Sequence, residues 1–142
     1  MSAPAIALDG DSELIDALLE VLREDAGLQS LLGTPARVFD DETGTALFPY
    51  VVLERCERQD ASVTSFVGGD HRLQFATLSR EGGHRAAKEL LAGLRVALQS
   101  AELSLTRQRV VLIHPTYSDV MRAPNRQVFR GVMRVRIVTE EI

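Results

Sequence analysis

The sequence predicts an α+β fold. One domain holds a mostly antiparallel, twisted sheet packed by two main helices, and a hairpin between two strands is drawn out into a long arm. Three observations predict this. Two segments carry leucines at spacings of three and four, other segments alternate apolar and polar residues at a period of two, and glycine, proline and small polar residues mark the joints between them. A chain of 142 residues, 45% hydrophobic and 25% charged, suits a single globular core. At that length folding buries roughly 68–70% of the unfolded surface.

Residues 1–8 read as a flexible N-terminal arm, and 9–142 as the domain. Ala3 to Leu8 is only mildly apolar and no Lys or Arg precedes it, so it does not read as a secretory leader. No apolar run approaches the roughly 18–20 residues that span a bilayer. Asp9, Asp11 or Ser12 each suits the start of a first helix, expected over Ser12–Ala26. Leu14, Ile15, Leu18, Leu19 and Leu22 form its apolar face, and Glu13, Asp16, Glu20, Arg23 and Glu24 lie mostly opposite. Gly27 is expected to end this helix in a left-handed conformation. Leu28–Leu32 adds one short helical turn before Gly33. A charge at Leu18 should cost the fold more than any surface change.

Thr34 to Leu47 reads mostly as loop, with Arg37-Val38-Phe39 as a short strand and Asp40-Asp41-Glu42 as a solvated acidic patch. Tyr50–Arg58 reads as a strand that starts in the core and runs outward, because its first half is apolar on both faces and its second half is charged. Gln59–Gly69 is polar and ends in glycine, with Phe66 and Val67 left with little to bury them. It reads as a long hairpin connection or projecting arm. His71–Ser79 returns as a strand, with Leu73, Phe75 and Thr77 on one face. Gly82-Gly83 then turns the chain into a second helix over His84–Leu98. Its apolar face is Ala87, Leu90, Leu91, Leu94 and Leu98.

Gln108–Val120 is the next strand, and Pro115 puts it at a sheet edge or in a bulge, since proline has no N–H for a ladder. Gln127–Thr139 alternates most clearly. Phe129, Met133, Val135 and Ile137 take odd positions, and Arg130, Arg134 and Arg136 share the even positions with valines. That arginine face reads either as a solvated sheet face or as an assembly face or lumen meeting acidic protein or passing DNA, where planar bidentate contacts favour arginine.

Chemistry-bearing motifs are few. The lone cysteine, Cys56, allows no disulfide within the chain and reads as a small buried hydrophobe. Gly82-Gly83 lacks the lysine and glycine spacing of a phosphate loop. His71, His84 and His114 share no metal-ligand spacing. No Ser-His-Asp or nucleophile-elbow pattern is present. The expectation is a protein that is not an enzyme and needs no metal or other cofactor. The net charge of −4 argues against a dedicated nucleic-acid coat.

Several pieces, in order, resemble a known family: the first helix ending in Leu31-Leu32-Gly33, then Arg37-Val38-Phe39-Asp40, Phe48-Pro49-Tyr50-Val51-Val52-Leu53, and His71-Arg72-Leu73. Leu78-Ser79-Arg80-Glu81-Gly82-Gly83, the alanine-rich helix and Phe129-Arg130-Gly131-Val132-Met133-Arg134-Val135-Arg136 complete the set. Together they resemble the small tail terminator, or tail completion, proteins of long-tailed phages and gene transfer agents, over about Ser12–Thr139. The family often has a tryptophan before the Ser-Arg pair, where this chain has Leu78. The resemblance implies a structural virion protein of a siphophage-like particle. It would form a ring, usually hexameric, that caps the head-proximal end of the tail tube and stops its polymerisation. It would offer a surface to the head–tail connector or stopper and let DNA pass without sequence preference. It implies no active site and no membrane. Such a protein is made in the cytoplasm and ends in the tail or neck of the particle. Expected contacts with neighbouring subunits or the tube are Ser65, Phe66 and Val67 of the arm and Arg130, Arg134 and Arg136 of the last strand. Those arginines would pair with acids such as Glu54, Glu57 or Glu140 of an adjacent subunit. Another neck protein, such as a head-closure or adaptor subunit, is the nearest alternative. A small enzyme or ligand-binding domain with a pocket between sheet and helices is the more distant one.

Overall fold

The leucine periodicity builds the helices it predicts. The computed structural model describes residues 10–41, 47–64, 67–124 and 127–142. The expected arm over 1–8, the Asp9 cap, Glu42 of the acidic patch, and Ser65 and Phe66 lie outside the described residues. Helix α1 is Gly10–Glu24, with Leu14, Leu18, Leu19 and Leu22 buried. It ends before Gly27, which therefore does not terminate it. Asp25 takes an extended conformation (φ −66°, ψ 123°) and its carboxylate accepts the N–H of Leu28 at 2.9 Å, capping helix α2, Ala26–Leu32. Gly27 lies inside α2. A side-chain acceptor that satisfies a free N–H of the next helix outweighs glycine's conformational freedom here. Gly33, at φ 88°, closes α2 and donates to the carbonyl of Gln29 at 3.0 Å.

The remaining elements are β1 (Val38–Phe39), β2 (Tyr50–Asp60), β3 (Gly68–Ser79), α3 (Gly83–Ser100), β4 (Gln108–Arg122) and β5 (Phe129–Glu141). They form one five-stranded sheet in the order β1-β2-β3-β5-β4. All neighbours are antiparallel except β1 and β2, which run parallel. Before α3 the chain turns at Gly82 (φ 85°), where a Cβ would come within 2.5 Å of the Ala86 Cβ.

The ladder enters the hairpin arm from both ends. β2 and β3 stay paired out to Asp60 and Gly69, and the Ala61 N–H donates to the Gly68 carbonyl at 3.0 Å. β5 accompanies them as far as the Gly68–Glu140 pair. The sheet therefore extends into the base of the arm, while Ser62, Val63, Thr64 and Val67 lie outside the strands.

The helices cover one face of the sheet. Their leucines pack on Leu73, Phe75, Met133, Val135 and Ile137. Each fully buried side chain of this kind contributes roughly 1.5–3 kcal/mol. A smaller cluster lies apart from this core: Tyr50, Val52 and Ala76, with Phe39, Phe48 and Leu78 packed around them.

Candidate functional site: the arginine face of the sheet

Alternation along β3 and β5 sends one set of side chains to the helices and the other away from them. Register then decides which residues meet. Arg136 lies across from Arg72, Arg134 from Gln74, and Arg130 from Leu78. Two adjacent arginines on neighbouring strands repel unless a carboxylate sits between them. Asp70 supplies it. Its carboxylate accepts from Arg136 Nε and Nη2 at 3.0–3.2 Å and from Arg72 Nε and Nη2 at 3.3 Å. The Arg136 hydrogen bonds hold the Asp70 pKa below the usual carboxylate range, against the burial that would raise it, and Arg72 lowers it further. The same bond pushes the Arg136 pKa upward.

A second network starts from an irregularity. The register of β2 slips between Leu53 and Arg55, so Glu54 has no residue opposite it in β3. Such a bulge re-aims its side chain. Glu54 forms an ion pair with Arg130 and accepts from Gln74 Nε2 at 3.0 Å, while Gln74 Oε1 accepts from Arg134 Nε at 3.1 Å. Arg134 also lies over the ring of Tyr117, 4.8 Å from its centre. Burial pulls the Glu54 pKa up, but the bonds from Arg130 and Gln74 together outweigh it, and the pKa lies below the ordinary value.

The bulge has a further effect. It moves Arg55, opposite Gln74, onto the arginine face, and Cys56, opposite Leu73, onto the helix side. Cys56 is nonetheless exposed, contrary to the expectation of a buried thiol. Among the described residues β1 pairs only with Val51 and Val52, so no strand is paired along that edge of β2 at Cys56. Crowding by the surrounding chain raises its pKa, and the carboxylates of Asp40 and Asp11 add to the rise.

The three predicted arginines thus share a face, and each has a partner within its own chain. Glu140, expected as an intersubunit acid, pairs with Arg109, and Glu57 pairs with Arg55 at 3.1 Å. Val67 is exposed at the described edge of the arm tip, and its carbonyl accepts the Glu141 N–H at 2.8 Å. The arm tip and the arginines therefore follow one another along the β5 direction and do not make one patch. Sequence reasoning passed over Asp70, Arg72 and Gln74. The alternation of β3 placed Arg72 and Gln74 on the right face, but only register revealed what they touch.

Two other features frame this face. β4 is a long edge strand with two register shifts, at Val111 and at Thr116 beside Pro115. Proline and bulges there discourage unregulated edge pairing. Val111, Leu112, Tyr117 and Met121 stand exposed along it. At the end of the sheet near Ser79, an open cleft of about 650 Å³ is lined by Leu31, Leu47, Phe48, Arg80 and Leu90 among others. Among the described residues no three His, Cys, Asp or Glu side chains gather as a metal would need, and no helix is long and apolar enough to cross a membrane.

Residues 16–140 match the family described as tail completion protein gp17. A chain from the virion of a native gene transfer agent particle is 29% identical, with a TM-score of 0.78, over 89% of this chain and 94% of that one. No curated protein matches.

Proposed function

This chain belongs to the tail completion family, and on that premise we propose that it caps the head-proximal end of a tail tube as a ring of six copies. The ring ends tube polymerisation, presents a surface to the head–tail connector, and lets DNA through its lumen. The observation that carries this reading is the family match over residues 16–140, supported by the likeness to a chain of a gene transfer agent virion. The protein has a structural role and no catalytic one. It assembles in the cytoplasm and finishes in the particle.

The geometry of the arginine face suits a lumen. A bare row of arginines would hold a phosphate backbone, because each neutralised phosphate releases counterions. Here Asp70 and Glu54 sit among Arg72, Arg130 and Arg136, so the positive potential is muted and mobile DNA passes without being gripped. The hairpin arm, through Ser65, Phe66 and Val67, meets the tube protein.

Electron microscopy of particles from a strain lacking the gene tests the role. Over-long tubes, or tails that fail to join heads, are expected. Normal-length tails on filled heads overturn it. Binding of the purified protein to the tube protein, but not to the portal, separates a terminator from another neck protein.

A further inference from the structure

Charge is distributed unevenly across this molecule, and the fold sorts it to opposite sides. Between Gly10 and Asp41 the chain has eight acids and two arginines. Both arginines turn inward onto carbonyls: Arg23 Nε donates to Val38 at 2.8 Å and Arg37 Nε to Pro49 at 3.0 Å. Between Gly83 and Arg122 the balance reverses, with six Lys or Arg and three acids. The first segment makes α1, α2 and β1, and β1 is one edge of the sheet. The second makes α3 and β4, and β4 is the opposite edge.

On the acidic side, Asp16, Glu20 and Glu24 stand at successive i, i+4 positions of α1, all exposed. They make no ion pair among the described residues. α1 starts against Thr106 and Gln108, and Arg23 near its end bonds the Val38 carbonyl of β1, so Glu20 and Glu24 lie toward the β1 edge, which continues into Asp40. On the basic side, α3 and β4 enclose a groove of about 460 Å³. Its lining includes His84, Lys88 and Arg95 beside one acid, Asp119. Arg95 is held there by a 2.9 Å hydrogen bond from Nη2 to the Ser118 hydroxyl. Lys88 is exposed, and no ion pair engages it among the described residues.

A closed ring of identical subunits needs a heterologous contact, in which two different patches on opposite sides of one subunit fit each other. Acid on one side and base on the other provide such a pair and disfavour self-docking of either patch. We infer that copies of this chain meet head to tail, with the Glu20–Glu24 stripe of α1 and Asp40 seated on the Lys88–Arg95 groove of the next copy. This docking rests on the ring reading above and specifies its subunit contact. It also covers part of the exposed apolar row along β4, including Met121, and Val96 on α3.

Lys88 is the only lysine in the chain, which makes the contact directly testable. A water-soluble carbodiimide joins an amine to a carboxylate in contact with it, releasing the corresponding urea. Applied to purified particles, it is expected to yield a dimer of this chain in which the Lys88 peptide is linked to the peptide bearing Glu20 and Glu24. Rings visible by microscopy with Lys88 linked only elsewhere, or unlinked, overturn the docking and leave the ring reading standing. Particles with no ring of this chain overturn both. As a second measurement, K88E/R95E is expected to lower incorporation into particles by about tenfold or more, since like charges now face each other. Adding E20K/E24K to the same chain is expected to restore it. A quadruple variant that folds with an unchanged circular-dichroism spectrum but stays excluded overturns the docking.

Discussion

The two faces of the sheet are made by alternate residues of the same strands, yet they are held together by different physics. On the helix side, Leu73, Phe75, Met133, Val135 and Ile137 lie under the leucines of α1 and α3, almost wholly removed from water. On the other side, Arg72, Gln74, Arg130, Arg134 and Arg136 reach Asp70 and Glu54 through contacts that water still reaches. Packing without voids makes the first face intolerant of change. Solvent screening makes the second face weak in stability terms and therefore free to specify what it meets. Stability and recognition are thus separated by a single residue's step along each strand.

The sharpest break of this comparison comes from the helix face. Leu18→Ala is expected to lower the unfolding free energy by about 2–5 kcal/mol, read from urea denaturation. A loss comparable with that of an arginine-face variant would contradict the division. Gly131→Ala comes next. A Cβ there would lie 2.2 Å from Thr77 Oγ1 and 3.2 Å from the Leu91 methyls, between β5 and α3. The expected loss is about 1–3 kcal/mol by the same measurement, as α3 is forced to shift. On the opposite face a double-mutant cycle of Glu54→Gln and Arg130→Gln should give a coupling of only about 0.2–1 kcal/mol. A coupling well above that would mean the arginine face carries the fold after all.

Acid sharpens the contrast with the smallest effects. His71 is buried at the edge of the helix side and shares a 3.1 Å hydrogen bond with Thr139. Burial lowers its pKa, with Asp11 working the other way. The unfolded chain therefore takes up the proton first, and stability should fall as pH drops below about 6.5. The melting temperature followed from pH 7.5 to 5 should show this decline, and His71→Gln should flatten it. Asp70 acts lower. Its depressed pKa means that its contribution is present above about 3.9 and lost as pH falls toward the folded-state value. Asp70→Asn should shrink that lower limb, to which Glu54 also contributes, and leave the decline below pH 6.5 in place, since burial is the main cause of the His71 shift.

Much of the fold was legible because local rules and tertiary packing agreed. Leu14, Leu18 and Leu22 repeat at four residues and are all buried. Gly82 and Gly83 turn the chain into α3 with the positive φ angles only glycine adopts easily. Pro115 lies on an edge strand and beside a bulge, as its missing N–H requires. Where two local signals competed, the sequence misled. Gly27 was expected to end α1, but the chain leaves that helix at Asp25, whose carboxylate caps α2. Cys56 sat in an apolar-looking strand, and its exposure depends on how short a different strand is.

The site was legible only as a list of arginines. Alternation by itself determined that Arg130, Arg134 and Arg136 share a face, because a strand has a period of two whatever surrounds it. It determined both leucine-lined helices for the corresponding reason, a period of 3.6. The tertiary structure decided what those arginines touch. The slip of β2 at Glu54, the placing of Asp70 between Arg72 and Arg136, and the assignment of β1 and β4 to opposite edges are relations between distant segments. Pairing register and strand order set them, and neither is written in any local stretch of the chain.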